Sequence, residues 1–534
     1  MILRYSLLFL LALIGTYIPF VHQGGFPIND LAADMLLGNL IQQQGYLLFG
    51  HYSVWGFHHP GPFWFYYNYL FEFLPIPKVS AWYLGNMFFN SLILIFSARA
   101  LSFYFFRHFH FLFCFLFVFI VINFITEIQN IWMPARIILP YGAFLICCLH
   151  LMRKNFVYLL PAVFLMCILI HGYVIMPIFT FPLLFLSLMI GGNFKQNFNR
   201  HKNIILFSFL IAFLFVLPIL IDYFFNAPNS NFNAILNAKL NQKLGTPTPD
   251  DWRLLDNLLF KEFYLFFLQL LGVFILFISL FSLRKNNSNM QFMLHQILRL
   301  IMLCALVYLI FYFYYILNYP AEQQRVYAFF FTKIMPILIV ASMLALCVFL
   351  LDKMKIKINP KIEIVFAFVV ISFAFLTHAY SPFGWELNED VGDFEKELNA
   401  IILKENLKEP VPLTCLVTKI DSFEKNPGFY VRQGCNYLAG VLLQMPQKTC
   451  FAMPEKRQTL EDIRLFLPPN VFCQNNTKPR FAFVASVECV ENKGQNCRAS
   501  ANRVDNGAAM LDLLGFDGKM ILFPSIEREL TRGF

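Results

Sequence analysis

The chain is 534 residues long, 58% of them hydrophobic and only 14% charged, with a mean hydropathy of +0.59. This composition argues against a soluble globular protein and predicts an integral membrane protein. The formal net charge is +9, but the Lys and Arg residues fall into short clusters between apolar runs. That pattern is typical of membrane topology, so nucleic acid is excluded as a partner.

The first apolar segment, residues 5–20, reads "YSLLFLLALIGTYIPF" and follows a single Arg4. It has the length of a secretory signal, but no small-x-small cleavage site comes after it. We therefore expect it to be retained as the first membrane span.

Apolar runs predict about eleven membrane-spanning helices, because a span needs about 20 mostly apolar residues. The runs are 5–20, 81–98, 111–126, 137–152, 156–170, 173–190, 204–221, 260–283, 300–318, 326–351 and 362–379. Lys and Arg gather in every second loop, which the positive-inside rule assigns to the cytoplasm. An odd number of spans with a cytoplasmic N-terminus places the C-terminus outside.

The predicted first external loop, residues 21–80, contains two acids at helical spacing. Asn29 and Asp30 after Pro27 favour a helix start, and "DLAADMLLGNL" predicts a short amphipathic helix in the membrane interface that Gly45 ends. Asp30 and Asp34 are four residues apart, so they share one helix face, where two carboxylates can act as a base and its orienting group. The alternative is that Asp30 caps the helix and Asp34 is a solvated residue.

A histidine-rich turn follows in the same loop. The stretch "HHPGPFWFY" contains His58 and His59 and predicts a rigid, extended turn, because the residue before a proline avoids the helical region. With His51, these side chains could bind a divalent metal, although their spacing matches no standard site. Hydrogen-bonding or structural histidines are the alternative, and no cofactor is assigned.

The composition changes near residue 380, where a soluble domain of residues 380–534 is predicted to begin after the membrane module of residues 1–379. Strand-like runs "TCLVTKI", "FAFVASVECV" and "KMILFPS", with a helix at "LEDIRLFL", predict a small α/β fold. Six cysteines lie in this domain and favour disulfides in an oxidising compartment, with reduced thiols as the alternative. They are Cys415, Cys435, Cys450, Cys473, Cys489 and Cys497. The six within the spans are interpreted as small apolar packing residues.

The first span, the acidic outer loop and the "HHPGP" turn before aromatic residues together resemble the GT-C superfamily of polytopic glycosyltransferases. The most similar branch contains the protein O-mannosyltransferases and aminoarabinose transferases, in which an "HPP" element follows the acidic loop; here Gly61 is inserted. The resemblance covers about residues 1–380. It implies that Asp30 is the general base that deprotonates the acceptor, with inversion at the sugar carbon. Many relatives have a second acid beside the first, and Asp34 is the substitute here.

A lipid-phosphate leaving group needs cations near the outer interface. The stretch "QQRVYAFFFTKIMPIL" carries Arg325 and Lys333 and resembles the family's phosphate-binding segment, with its proline displaced to Pro336. Arg136 in "NIWMPARIILP" is a third candidate cation, and His58 and His59 join the predicted substrate-binding set. The alternatives are a snorkelling Lys333 with a solvated Arg325, and simple interface anchoring by Arg136.

The predicted function is therefore transfer of a sugar from a polyprenyl-phosphate-linked donor to an envelope glycan, lipid or protein at the outer face of the cytoplasmic membrane. The compositional bias toward Phe, Ile, Asn and Lys favours a bacterial source. Two alternatives are a transporter or flippase of lipid-linked saccharides and a non-catalytic envelope assembly subunit. The chain shows no internal repeat of the kind that transporters use for alternating access.

Overall fold

A computed structural model gives the fold of the chain. The residues that the structure describes are 26–27, 29–53, 57–104, 131, 133–192, 200–240, 295–304, 306–307, 387–388, 398–400, 402–404, 406–418, 439–440, 442–445, 447–452, 471–473, 481–489, 497–500 and 519–521. They belong to two compact units. The first takes its described residues from Leu48–Gly50 and His59–Pro382, and the second from Phe20–Leu47, His51–His58 and Phe383–Phe534.

The described part of the first unit is helical. Its helices are α2 (Phe63–Tyr69), α3 (Lys78–Tyr104), α4 (Met133–Arg136), α5 (Ile138–Met152), α6 (Leu159–Gly172), α7 (Met176–Gly191), α8 (Lys202–Phe225), α9 (Asn231–Leu240) and α10 (His295–Cys304). A 3-10 turn at Phe156–Tyr158 precedes α6. Helix α5 is central, because α3, α6 and α7 all pack against it and nearly all of its side chains are buried.

Three helical stretches of the described residues are long and apolar enough to cross a membrane: Lys78–Tyr104, Met133–Met152 and Lys202–Phe225. They coincide with the predicted runs 81–98, 137–152 and 204–221. The runs 156–170 and 173–190 are helices too, but each is shorter. The runs 5–20, 111–126, 260–283, 326–351 and 362–379, and most of 300–318, lie outside the described residues.

The second unit begins with β1 (Phe26–Pro27), α1 (Asn29–Gln44), β2 (Tyr52–Ser53) and β3 (Phe57–His58). Strand β1 pairs with β4 (Leu387–Asn388), and β2 pairs with β3, both antiparallel. The predicted first external loop thus contributes residues to both units. The predicted domain boundary near residue 380 lies outside the described residues.

Helix α1 forms where the acidic stretch predicts a helix, and it ends before Gly45 as expected. Gly45 has a left-handed φ of 81°, and its N–H donates to the carbonyl of Ile41 at 3.0 Å. The prediction that α1 is an amphipathic interfacial helix is wrong. Leu31, Ala32 and Ala33 follow one another around the helix and all are buried, so protein covers more than one face.

A mixed sheet forms the C-terminal part of the second unit. Its strands are β5 (Val411–Thr418), β6 (Thr449–Phe451), β7 (Phe481–Cys489), β8 (Cys497–Ser500) and β9 (Lys519–Ile521). Strand β5 lies between β6 and β7 and is parallel to both. Strand β7 also pairs with β9 in parallel and with β8 antiparallel. Strands β5, β7 and β9 confirm the three predicted strands, whereas the predicted helix "LEDIRLFL" lies outside the described residues.

The cysteines follow the predicted division between the two regions. Cys450 and Cys473 form a disulfide with a Cα–Cα distance of 5.0 Å, which confirms disulfide chemistry for this pair. Cys147, Cys148, Cys167 and Cys304 are free and buried among apolar side chains, as expected for packing residues.

Candidate functional site

Helix α1 places Asp34 beside a histidine that follows the helix. His51 Nδ1 lies 2.7 Å from Asp34 Oδ2, across 17 residues of chain. Because an ionised carboxylate has no proton to give, the imidazole donates its Nδ1–H to Asp34. The side chain of Asp34 is 15% exposed and that of His51 only 6%, so the carboxylate is the more accessible member of this Asp34–His51 pair.

Asp30 lies in the first turn of α1, four residues before Asp34. Four residues in a helix bring two Cβ atoms onto the same face, so the backbone agrees with the predicted arrangement of the two acids. The side chain of Asp30 lies outside what the structure describes, and its role as general base stays a prediction.

The backbone at Gly50 packs closely against two other segments of the chain. Gly50 N–H donates to the carbonyl of His59 at 2.8 Å. A Cβ atom on Gly50 would lie 2.8 Å from the carbonyl oxygen of Gly61 and 3.2 Å from that of His171. Only glycine fits there without a shift of the neighbouring backbone.

The two predicted substrate-binding histidines have different surroundings. His58 lies on β3 opposite Tyr52, and their rings meet edge to face at 5.8 Å. His59 is buried, and its Nδ1 accepts the N–H of Val174 at 3.1 Å. The His59 ring also packs against Tyr173 at 5.0 Å. These contacts join the turn to the segment after α6, and phosphate binding by either histidine stays a prediction.

Gly61, the residue inserted into the "HHPGP" element, packs directly on His171. A Cβ atom at Gly61 would overlap the ring atoms Cε1 and Nδ1 of His171 at 2.3 Å. The imidazole is held on both sides, since its Nδ1 accepts the N–H of Phe63 at 3.4 Å and its Nε2 donates to the carbonyl of Phe215 at 2.8 Å. His171 therefore has a packing role.

Arg136, a predicted phosphate ligand, is buried inside the first unit, with 2% of its surface exposed. Its Nη2 donates to Asn68 Oδ1 at 2.9 Å, and its Nε donates to Asn86 Oδ1 at 3.2 Å. The guanidinium also lies over the ring of Trp64, 4.4 Å from the centroid. The side chain thus connects α2, α3 and α4 inside the first unit, and its contact with lipid phosphate stays a prediction.

A neighbouring hydroxyl stays protonated in this interior. Burial raises the pKa of Tyr67 well above its ordinary value, although the charge of Arg136 acts in the opposite direction. The Tyr67 hydroxyl donates to the carbonyl of Gly85 at 2.8 Å. It therefore supports the same junction of α2 and α3 and is not a general base.

Other predicted site residues lie outside the described part of the chain. Arg325 and Lys333 belong to this group, so their predicted contact with lipid phosphate remains a prediction. Among the described residues, no group of three His, Cys, Asp or Glu side chains is arranged to hold a metal ion. Within the part of the chain that the structure describes, the Asp34–His51 pair places a carboxylate and an imidazole in hydrogen-bond contact, an arrangement suited to acid–base chemistry.

Comparison with known proteins gives no match: no family model, no curated protein and no solved structure is significantly similar to the chain. The functional argument therefore rests on the residues and their geometry.

The contacts of three residues were not predicted from the sequence. His51 was interpreted as a metal ligand or as a hydrogen-bonding or structural histidine, and nothing in the spacing of 17 residues reveals its contact with Asp34. The polar contacts of Asn68 and Asn86 could have been predicted, because both are amides in otherwise aromatic or apolar stretches. Buried amides need hydrogen-bond partners.

We predict that Gly61→Ala destabilises the protein by about 1–3 kcal/mol, because the added methyl group overlaps the His171 ring. The measurement is the melting temperature of the purified protein. Gly45→Asn is the matched control, since Gly45 has open space and asparagine tolerates a positive φ. Equal melting temperatures for Gly61→Ala and wild type would contradict the packing described for the turn.

We predict that Arg136→Lys lowers stability by about 1–3 kcal/mol, because an ammonium cannot serve both amides and lie over Trp64 at once. Thermal unfolding of the purified protein measures the loss. Lys202→Gln, at the exposed start of α8, is the control and should leave the melting temperature unchanged. An unaltered melting temperature for Arg136→Lys would show that the buried contacts do not hold the three helices.

Proposed function

We propose that the chain is a polytopic membrane glycosyltransferase of the GT-C type. It would have about eleven spans and a C-terminal extracytoplasmic α/β domain. It would transfer a sugar from a polyprenyl-phosphate-linked donor to an envelope glycan, lipid or protein at the outer face of the cytoplasmic membrane. The observation that carries the chemistry is the 2.7 Å contact between Asp34 and His51.

The surface of α8 supports the membrane part of this proposal. Large apolar side chains are exposed around this helix, among them Phe207, Phe209 and Phe213, each more than half exposed. A patch of this kind is a liability in water and is suited to lipid. On helix α3 the polar side chains of Asn86 and Asn90 are buried inside the protein, which is the distribution that suits a lipid environment.

The predicted side of the membrane agrees with the cysteine chemistry. The Cys450–Cys473 disulfide lies in the C-terminal sheet, and structural disulfides persist in oxidising compartments such as the periplasm. This supports a C-terminal domain outside the cytoplasm, as the distribution of Lys and Arg predicts.

In the proposed reaction, Asp34 takes the proton of the acceptor hydroxyl. The acceptor oxygen forms a bond to the anomeric carbon, while the bond from that carbon to the phosphate oxygen breaks. His51 donates to Oδ2 and so fixes the carboxylate, which leaves the other oxygen, Oδ1, to accept the proton. Asp30 is the alternative base from the same helix face.

The leaving polyprenyl phosphate carries negative charge that needs compensation. Arg325 and Lys333 are the residues proposed for this, with His58 and His59 as further donors of hydrogen bonds. Arg136 contributes indirectly in this scheme, because its guanidinium already contacts Asn68 and Asn86. A divalent metal would be the alternative source of positive charge.

The experiment compares envelope glycans and lipids by mass spectrometry in a strain lacking the gene. The strain is complemented with wild type, Asp34→Asn, Asp30→Asn or the control Gln43→Asn, which lies on the exposed end of α1. We expect one sugar to be missing, to return with wild type and the control, and to stay absent with Asp34→Asn at equal protein abundance.

Other results would favour different functions. If Asp34→Asn and Asp30→Asn both restore the sugar, neither acid is a base, and a non-catalytic assembly subunit explains the phenotype better. Accumulation of the complete lipid-linked saccharide on the cytoplasmic side would instead indicate a flippase. Unchanged glycans and lipids in the deletion strain would contradict the proposed function.

A further inference from the structure

The segment between α2 and α3, residues 70–77, exposes its apolar side chains and buries its charged one. Its sequence is "LFEFLPIP", and we call it the apolar loop. Leu70 is 65% exposed, Phe73 is 72% exposed and Leu74 is 40% exposed. Glu72, the one charged residue of the loop, is turned inward with a side chain only 6% exposed. We propose that the apolar loop inserts into the lipid bilayer beside the N-terminal end of α3.

The charge of Glu72 is compensated within the protein. Its Oε1 lies 3.2 Å from Nζ of Lys78 and accepts the indole N–H of Trp82 at 2.6 Å. Lys78 also lies 5.7 Å from the centroid of the Trp82 ring. Both partners are on α3, so the acid is held against the helix. The outer surface of the loop therefore carries no charge to keep it in water.

Most backbone N–H groups of the loop have hydrogen-bond partners within the protein. Each N–H group that has a partner lowers the cost of entering lipid, because the hydrocarbon supplies none. Five of the six N–H groups of the loop donate to carbonyls of residues 66–74, the exception being that of Phe73, and Pro75 and Pro77 have no N–H to satisfy. The donors are Leu70, Phe71, Glu72, Leu74 and Ile76.

Continuity with α3 identifies lipid as the occupant of this surface. The loop leads directly into α3, whose length and composition are sufficient for a span. The Phe71 ring lies 6.0 Å from the Phe88 ring, and Phe88 is itself 39% exposed on α3. The exposed surface of the loop thus continues onto the outward side of α3. This inference rests on the proposed placement of the chain in a membrane.

The test places an environment-sensitive fluorophore at single introduced cysteines in the full chain. The variants are Phe73→Cys in the loop, Phe209→Cys on α8 and Lys404→Cys at an exposed polar position of the second unit. The labelled proteins are reconstituted into vesicles of phosphatidylcholine and phosphatidylglycerol. Nitroxides attached to lipid or dissolved in water serve as quenchers, and labelled wild type gives the background from native cysteines.

We expect the probe at position 73 to behave like the probe at position 209, with blue-shifted emission and quenching by the lipid-attached nitroxide. The probe at position 404 should be quenched from the water instead. If position 73 is quenched from the water while position 209 reports lipid, the loop proposal fails and the membrane placement stands.

Two further outcomes would also overturn the proposal. Protection of position 73 from both quenchers would mean that protein, such as a second copy of the chain, covers the loop. If positions 73 and 209 are both quenched from the water, the chain does not span the bilayer, and the membrane premise of the proposed function fails with the loop.

Discussion

Buried polar side chains impose the constraint on which the helical unit depends, because each needs a partner inside it. His171 links the backbone of Phe63 to that of Phe215, and so connects α2, α6 and α8. Arg136 does the same for α2, α3 and α4 through two asparagines. These contacts leave apolar side chains to face outward, which is most evident on α8. The proposed membrane location is consistent with this distribution.

The same constraint acts on the turn at residues 59–62 of the first unit. His171 occupies the space where Gly61 would carry a side chain, so the turn that follows His58 can approach α6 closely. Gly50, one residue before His51, donates to His59 in that turn. Within the second unit, His51 donates a hydrogen bond to Asp34 on α1. The contact with His51 limits the orientation of the Asp34 carboxylate, and preorganisation of this kind would favour the proposed proton transfer.

Patterns along the sequence predicted much of the secondary structure but little of the site. Long apolar runs such as 81–98 and 204–221 are helices, since composition over about 20 residues is a strong signal. The strands at 411–418 and 481–489 were predicted for a different reason, since each contains a short run of β-branched and apolar residues. The burial of α1 on more than one face could not be predicted, because the residues that cover a helix come from distant parts of the chain. The contact of Asp34 with His51 depends on the loop path and has no sequence signal.

The most direct test of the account is whether Asp34 and His51 act as one unit in sugar transfer. The measurement is the initial rate of transfer in membranes from wild type, Asp34→Asn, His51→Asn and the double variant, at equal protein abundance. If His51 acts by positioning Asp34, the double variant should be no slower than Asp34→Asn alone. Independent, additive losses from the two substitutions would contradict the account, and so would full activity of Asp34→Asn.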